Sequence, residues 1–231
     1  SWALWEELGA RVPARESLSL AGRAEMYLGH YAEARLHLAR AYATSQELGQ
    51  PGRMRYFLVF LSYVAIGEGR CGEAERYLEE WCAIYDRQGL TSAETPRVAR
   101  TAPYIALLRG RLDEGRRGSC VLLKDYAERG LIRESFCDHA PGVVLLWLLR
   151  GEVERAVELW ALILRDPFAR ASRWHEQVIG RRVAEAAAGL PPEAVRAAEE
   201  RGRAREWRAT VAELLAKLAA EERPGADGGA S

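Results

Sequence analysis

The sequence contains one group of neighbouring residues whose types could support covalent catalysis. Cys137, Asp138 and His139 are consecutive and supply a nucleophile, an acid and a base. On a helix, side chains at positions i and i+2 point about 200° apart, so these neighbours do not converge on one reacting atom. An enzymatic alternative requires that Cys137 or His139 meets a base or an acid from another part of the fold, inside a pocket.

The remaining histidines do not show a metal-binding or phosphate-binding pattern. His30 and His37 lie seven residues apart, but no third ligand accompanies them. His175-Glu176 lacks the second histidine of a zinc protease motif, and no glycine-rich loop ends in Lys-Ser or Lys-Thr. The sequence therefore predicts a protein that is not an enzyme, with no catalytic residues, no metal and no cofactor.

Charge and composition limit the kinds of partner. Lys+Arg and Asp+Glu both number 33, so no net positive field attracts nucleic acid or an anionic membrane. No apolar run approaches the 18 or so residues of a membrane span, and the four cysteines form no Cys-x-x-Cys pair. We expect a cytoplasmic protein with no direct nucleic-acid or membrane contact. Because the chain starts at Ser1 within a helix-like stretch, we also expect it to be a fragment.

A repeat of glycines shows how the chain is organised. Two series of glycines recur at intervals of 40 or 41 residues, and a small residue follows five positions after each glycine of the first series. The first series is Gly29, Gly69, Gly110 and Gly151, the second is Gly49, Gly89 and Gly130, and the small residues are Ala34, Ala74, Gly115 and Ala156. Glycine ends helices readily in the left-handed conformation, and small side chains let antiparallel helices cross closely. The pattern predicts repeated helical hairpins.

Apolar residues at helical spacing agree with this prediction. The stripes are Tyr31, Ala34, Leu38 and Ala41, then Cys71, Ala74, Leu78 and Trp81, and then Val153, Ala156, Trp160 and Ile163. We interpret Trp81, Trp147 and Trp160 as residues that pack in the core and not as parts of a cofactor site.

The turn sequence Gly29-His30-Tyr31-Ala32-Glu33-Ala34 resembles the Gly-Asp-Tyr-x-x-Ala signature of the tetratricopeptide repeat. Units of 40 to 41 residues are longer than the usual 34 and are similar to repeats of large bacterial signalling proteins, where an array follows an ATPase or cyclase module. The resemblance implies an all-α fold, an α-solenoid of antiparallel helix pairs. It also implies four repeats over 1–165, at about 13–50, 51–90, 91–130 and 131–165.

After Arg165 the repeat is lost. Asp166-Pro167 should stop a helix, and another should run from Trp174 to Ala188. A helix should start near Pro192, with Gly202 dividing it from an apolar stripe within Trp207 to Leu218. We expect 166–220 to form atypical capping helices and 221–231 to form a disordered tail.

The resemblance also implies where a ligand would bind, because the first helix of each pair lines the concave groove of such arrays. The groove positions by this analogy are Arg23, Tyr27, Tyr56, Tyr63, Arg97, Arg100, Tyr104 and Asp138. Tyrosine and arginine often carry binding energy, since each combines apolar area with a directed polar group. Arginines among tyrosines suit an acidic peptide or a carboxylate end.

The resulting functional prediction is a protein-interaction or regulatory sensor module of a larger bacterial signalling or transcriptional regulator. Its partner would be a protein or peptide segment, or another domain of the same polypeptide. The alternative is a sensor for a small effector, recognisable by a closed apolar pocket with a few polar groups. Self-association through exposed ends of the array stays open as well.

Overall fold

The computed structural model describes residue 5 and residues 7–89, 100–131 and 139–220. This part of the chain is all-helical and contains no strand. Its first eight helices, which form four consecutive pairs, are α1 (Arg11–Leu28), α2 (Tyr31–Glu47), α3 (Pro51–Gly67), α4 (Cys71–Arg87), α5 (Ala102–Leu108), α6 (Leu112–Glu128), α7 (Ala140–Leu149) and α8 (Val153–Ile163). The remaining elements are α9 (Pro167–Ala171), α10 (Arg173–His175), a π-helical turn (Glu176–Gly180), α11 (Arg181–Ala187), α12 (Pro192–Ala204) and α13 (Trp207–Ala220).

The predicted glycine series end helices in the way their conformation requires. Every glycine with positive φ in the described residues belongs to one regular progression of 20 or 21 residues. Its members are Gly9, Gly29, Gly49, Gly69, Gly89, Gly110, Gly130 and Gly151. At Gly29, φ is 82°, and the next backbone N–H, that of His30, donates to the Glu25 carbonyl at 2.9 Å. This is the Schellman motif, and it confirms that Gly29 ends a helix.

Helices that are consecutive in sequence pack against each other from α1 to α8. The four predicted small residues are buried at these contacts. At Gly115, an added Cβ would lie 2.4 Å from Leu107 Cγ, which leaves no room for a larger side chain. The prediction that small residues allow close crossing is thus confirmed.

The core contains most residues of the predicted stripes and two segments in which every residue is buried, 57–66 of α3 and 140–147 of α7. Trp81, Trp147 and Trp160 are buried, which confirms them as packing residues. In α3 every residue from Phe57 to Ile66 is buried, because α2, α4 and the π-helical turn contact this helix from several sides.

The chain after Arg165 packs on two different parts of the array. The predicted helix stop at Asp166-Pro167 is confirmed, since Asp166 is the N-cap of α9 and accepts from the Phe168 N–H at 2.8 Å. The following segment, 167–187, reaches α1, α3, α7 and α8, and we call it the docked segment. Helix α12 instead packs on α8, and α13 packs on α6.

The prediction that Gly202 divides two helices is wrong. Gly202 lies inside α12, and the break follows it, where Arg205 is extended. The glycine is needed for contact with α8, because an added Cβ would lie 2.0 Å from the Glu158 carbonyl oxygen. The predicted stripe of α13 is confirmed by burial of Val211, Leu214 and Leu218.

None of the helices in the described part of the chain combines the length and the apolar character needed to cross a membrane.

Candidate functional site

The residues predicted to line a groove lie on the first helices of the pairs. Arg23 and Tyr27 are on α1, Tyr56 and Tyr63 on α3, and Tyr104 on α5, while Arg100 precedes α5. Arg97 and Asp138 lie outside the described residues. We call the surface formed by α1, α3, α5 and α7 the first-helix surface.

Part of this surface is covered by the chain itself. Trp174 of the docked segment is almost fully buried between Tyr63 and Tyr104. Its ring centroid lies 5.0 Å from that of Tyr63 and 5.6 Å from that of Tyr104, with both contacts edge-to-face. The indole Nε1–H donates to the Tyr63 carbonyl at 2.8 Å. These two tyrosines therefore hold an internal tryptophan.

The docked segment also contacts α1 and the turn that follows it. Tyr27 packs edge-to-face on Phe168 at 4.7 Å and parallel to the His175 ring at 6.3 Å. The Tyr31 hydroxyl donates to Gln177 Oε1 at 2.7 Å. Burial, with the nearby Glu68 carboxylate, raises the pKa of Tyr31 to about 12. Tyr27 thus joins Tyr63 and Tyr104 under the docked segment.

Arg23 and Tyr56 form a different arrangement. The Arg23 Nη1–H donates to the Tyr56 hydroxyl at 2.9 Å, and its guanidinium carbon lies 4.9 Å from the Phe60 ring centroid. Nearby in sequence, Arg55 stacks over Tyr85 at 5.2 Å and over Trp81 at 5.8 Å. Within the described residues neither arginine forms an ion pair. Each is a cation held on aromatic rings with charge available for an anion.

Several other arginines are neutralised by carboxylates. Arg35 pairs with Glu73 at 2.5 Å and also with Glu68. Glu75 accepts from Arg109 at 3.0 Å and from Arg111 at 2.9 Å. Arg23 and Arg55 differ from these arginines because no carboxylate of the described residues pairs with them. This holds although the chain has equal numbers of basic and acidic residues, 33 of each.

Arg100 shows the same kind of stacking. Its guanidinium carbon lies 5.4 Å from the Tyr126 ring centroid. Arg97 lies outside the described residues, so the prediction that Arg97 and Arg100 bind a ligand together stays a prediction.

Two of the candidate catalytic and metal residues, His139 and His37, lie in the described part of the chain in different surroundings. His139 is buried with its ring centroid 4.5 Å from that of Tyr126, while Cys137 and Asp138 lie outside the described residues. His37 Nδ1 lies 2.7 Å from Glu25 Oε2. Among the described residues, no group of three or more His, Cys, Asp or Glu side chains could hold a metal ion.

The internal role of Trp174 was not predicted. The sequence shows a tryptophan in a short helix between Pro167 and Pro191, which indicates that this helix packs against another part of the protein. Nothing in the local sequence says that it packs on the first-helix surface.

No family model, curated protein or solved structure matches this chain.

Proposed function

We propose that this chain is a recognition module without catalytic activity, which binds an acidic segment of a protein or peptide. The observation that carries the proposal is the pair Arg23 and Tyr56 with Phe60, where a guanidinium is positioned on aromatic rings without a carboxylate. The module is a tetratricopeptide-like α-solenoid, a proposal supported by the uniform glycine helix ends and the sequential packing of α1 to α8.

The chemistry of this surface favours an acidic ligand. A stacked guanidinium has lost part of its rotamer freedom, so binding a carboxylate costs less ordering than at a mobile arginine. It can donate hydrogen bonds to both oxygens of a carboxylate through N–H groups not used by Tyr56. The neighbouring rings offer apolar area, a combination typical of residues that dominate protein interfaces.

Geometry separates this surface from the part covered by the docked segment. Tyr56 and Tyr63 are seven residues apart on α3, which corresponds to about 10 Å along the helix axis. Tyr63 is buried under Trp174, whereas Tyr56 and Arg23 are only partly buried. A ligand can therefore reach Arg23 and Tyr56 without displacing Trp174.

The proposed biological setting is a cytoplasmic regulatory module of a larger bacterial signalling or transcriptional protein. Its acidic ligand would be a partner protein or another domain of the same polypeptide. This setting derives from the resemblance of the repeats to bacterial regulatory arrays.

Fluorescence anisotropy tests the proposal with a labelled peptide that alternates Glu and Leu and its Gln-for-Glu counterpart. We expect the Glu peptide to bind at least about tenfold more tightly at low salt, with the preference reduced at high salt. Arg23→Glu should remove most of that preference. The matched control is Arg196→Glu on α12, an exposed arginine, which should change nothing. Equal binding by Arg23→Glu and the unaltered chain would overturn the proposal.

A further inference from the structure

A cleft of about 630 Å³ opens between α8, α11 and α12, away from the residues of the proposed peptide surface. Its walls are mainly apolar and include Trp160, Leu164, Val183 and Val195. Trp160 and Val183 are nearly buried, so they form the inner part of the cleft. The volume lies within the range of small-molecule sites, roughly 300 to 1,000 Å³, and the apolar lining is typical of such sites.

Small residues on α11 and directly before it explain why the cleft stays open. Gly180, Ala184 and Ala187 face α8 and α12 across it. Gly180 ends the π-helical turn Glu176–Gly180, and an added Cβ there would lie 3.3 Å from Trp160 Cζ2. π-helical turns occur frequently at functional sites, where they change the register of a helix at a cost in hydrogen bonding.

The rim of the cleft is cationic. Arg165, Arg170 and Arg203 line it together with a single acidic residue, Glu199. Arg203 pairs with Glu199 at 2.6 Å, so that carboxylate neutralises one of the three cations.

The other two rim arginines are held by main-chain oxygens. Arg165 Nη1–H donates to the Arg205 carbonyl at 2.6 Å, and Arg170 Nε–H donates to the Leu164 carbonyl at 3.1 Å. Neither forms an ion pair within the described residues. A guanidinium has five N–H groups, so each keeps donors for an anion at the mouth of the cleft.

We propose that this cleft is a binding site for a small apolar carboxylate, with its apolar body against Trp160 and Val183. The carboxylate would lie at the rim, between Arg165 and Arg170. Charge complementarity selects this class over a neutral apolar molecule, since two cations without a carboxylate border an apolar wall. The site is separate from the Arg23 surface, and its existence does not depend on peptide binding there.

Titration calorimetry of the full chain tests the site with decanoate and with decan-1-ol, which share an apolar body and differ in charge. We expect one decanoate to bind per chain, at least about tenfold more tightly than decan-1-ol. The double variant Arg165→Gln/Arg170→Gln should reduce decanoate binding to the level of decan-1-ol and leave decan-1-ol unchanged. Arg208→Gln, an exposed arginine of α13 that does not line the cleft, is the matched control.

A second variant tests location independently of charge. Ala184→Trp fills the cleft from an exposed position on α11, so we expect it to fold, as checked by circular dichroism, and to lose decanoate binding. Equal affinity for decanoate and decan-1-ol, no decanoate binding at millimolar concentration, or undiminished binding by Ala184→Trp would each overturn the proposal. Should Ala184→Trp fail to fold, the double arginine variant alone decides.

Discussion

The docked segment meets the array in two ways, and the two contacts differ in how well they are filled. At its start, Trp174 occupies the space between Tyr63 and Tyr104 and donates its indole N–H to a main-chain oxygen. At its end, Gly180 of the π-helical turn and the alanines of α11 face α8 and α12, and a cleft of about 630 Å³ remains.

The difference shows that one short segment can serve two purposes. Large aromatic residues fill space and fix the segment on α1, α3 and α5, which contributes stability. Small residues at the other end leave apolar surface accessible, which a stability requirement alone does not explain. The Trp174 contact can thus hold α11, which forms one wall of the cleft, in position.

The largest effect is expected from emptying the filled contact. Trp174→Ala removes a buried indole and leaves a cavity between two tyrosines, so we expect the free energy of unfolding to fall by about 3 to 5 kcal/mol. Urea denaturation followed by circular dichroism measures this change.

Trp174→Phe is the matched control for that variant. It keeps an aromatic ring but loses the hydrogen bond to the Tyr63 carbonyl. Its free energy of unfolding should therefore fall clearly less than that of Trp174→Ala. If Trp174→Ala lowered the free energy of unfolding by less than about 1 kcal/mol, the Trp174 contact would stabilise the fold no more than an exposed side chain does.

A smaller effect is expected where α12 approaches α8. Gly202→Ala places a Cβ 2.0 Å from the Glu158 carbonyl oxygen and 2.9 Å from Ala161 Cβ, so the two helices must move apart. We expect a loss of about 1 to 3 kcal/mol in the same denaturation assay. Because α8 and α12 form two walls of the cleft, decanoate binding should weaken too.

Gly52→Ala provides the comparison for Gly202→Ala. Gly52 is also a helical glycine, but its added Cβ meets nothing within 4 Å. The change should be neutral or stabilise by up to about 1 kcal/mol through helix propensity. Equal effects at both positions would refute close approach as the reason for Gly202.

The repeated part of the fold was predictable because each signal is local. Gly29 ends a helix through its own backbone conformation, and Ala34 is small because of the neighbouring helix of the same pair. The stripes that contain Trp81 and Trp160 follow helical spacing, so burial could be read from the sequence alone.

The candidate site was predictable only in part, because it depends on contacts between distant residues. Arg23, Tyr56 and Tyr104 were correctly placed on first helices, but the partner of Tyr104 is Trp174, seventy residues later in the sequence. The cleft rim joins Arg165 and Arg203 through the packing of α12 on α8, which no local pattern shows. Gly202 was misassigned for the same reason, since its neighbour is Glu158.

The smallest effect concerns the ion pairs that hold α12 on α8 beside the cleft. Glu158 accepts from Arg201 at 2.9 Å and from Arg205 at 2.5 Å. Burial of this carboxyl opposes ionisation, but the two guanidinium hydrogen bonds outweigh it and lower the pKa of Glu158 below its usual 4.5. Its contribution to stability is therefore complete above about pH 4.5 and is lost as the pH falls through the lowered pKa.

Glu158→Gln should accordingly reduce the free energy of unfolding by about 1 kcal/mol at pH 7, since partial exposure screens the pairs. The difference from the unaltered chain should shrink at pH 3, because the Glu158 carboxyl of the unfolded chain is already protonated there and the charge contribution to stability falls with pH. Urea denaturation at both pH values checks this, with Glu185→Gln, an exposed residue of α11, as the control. A difference that is the same at both pH values would show that Glu158 acts through packing and not through charge, and α12 would then be held on α8 by the Gly202 contact and the apolar core.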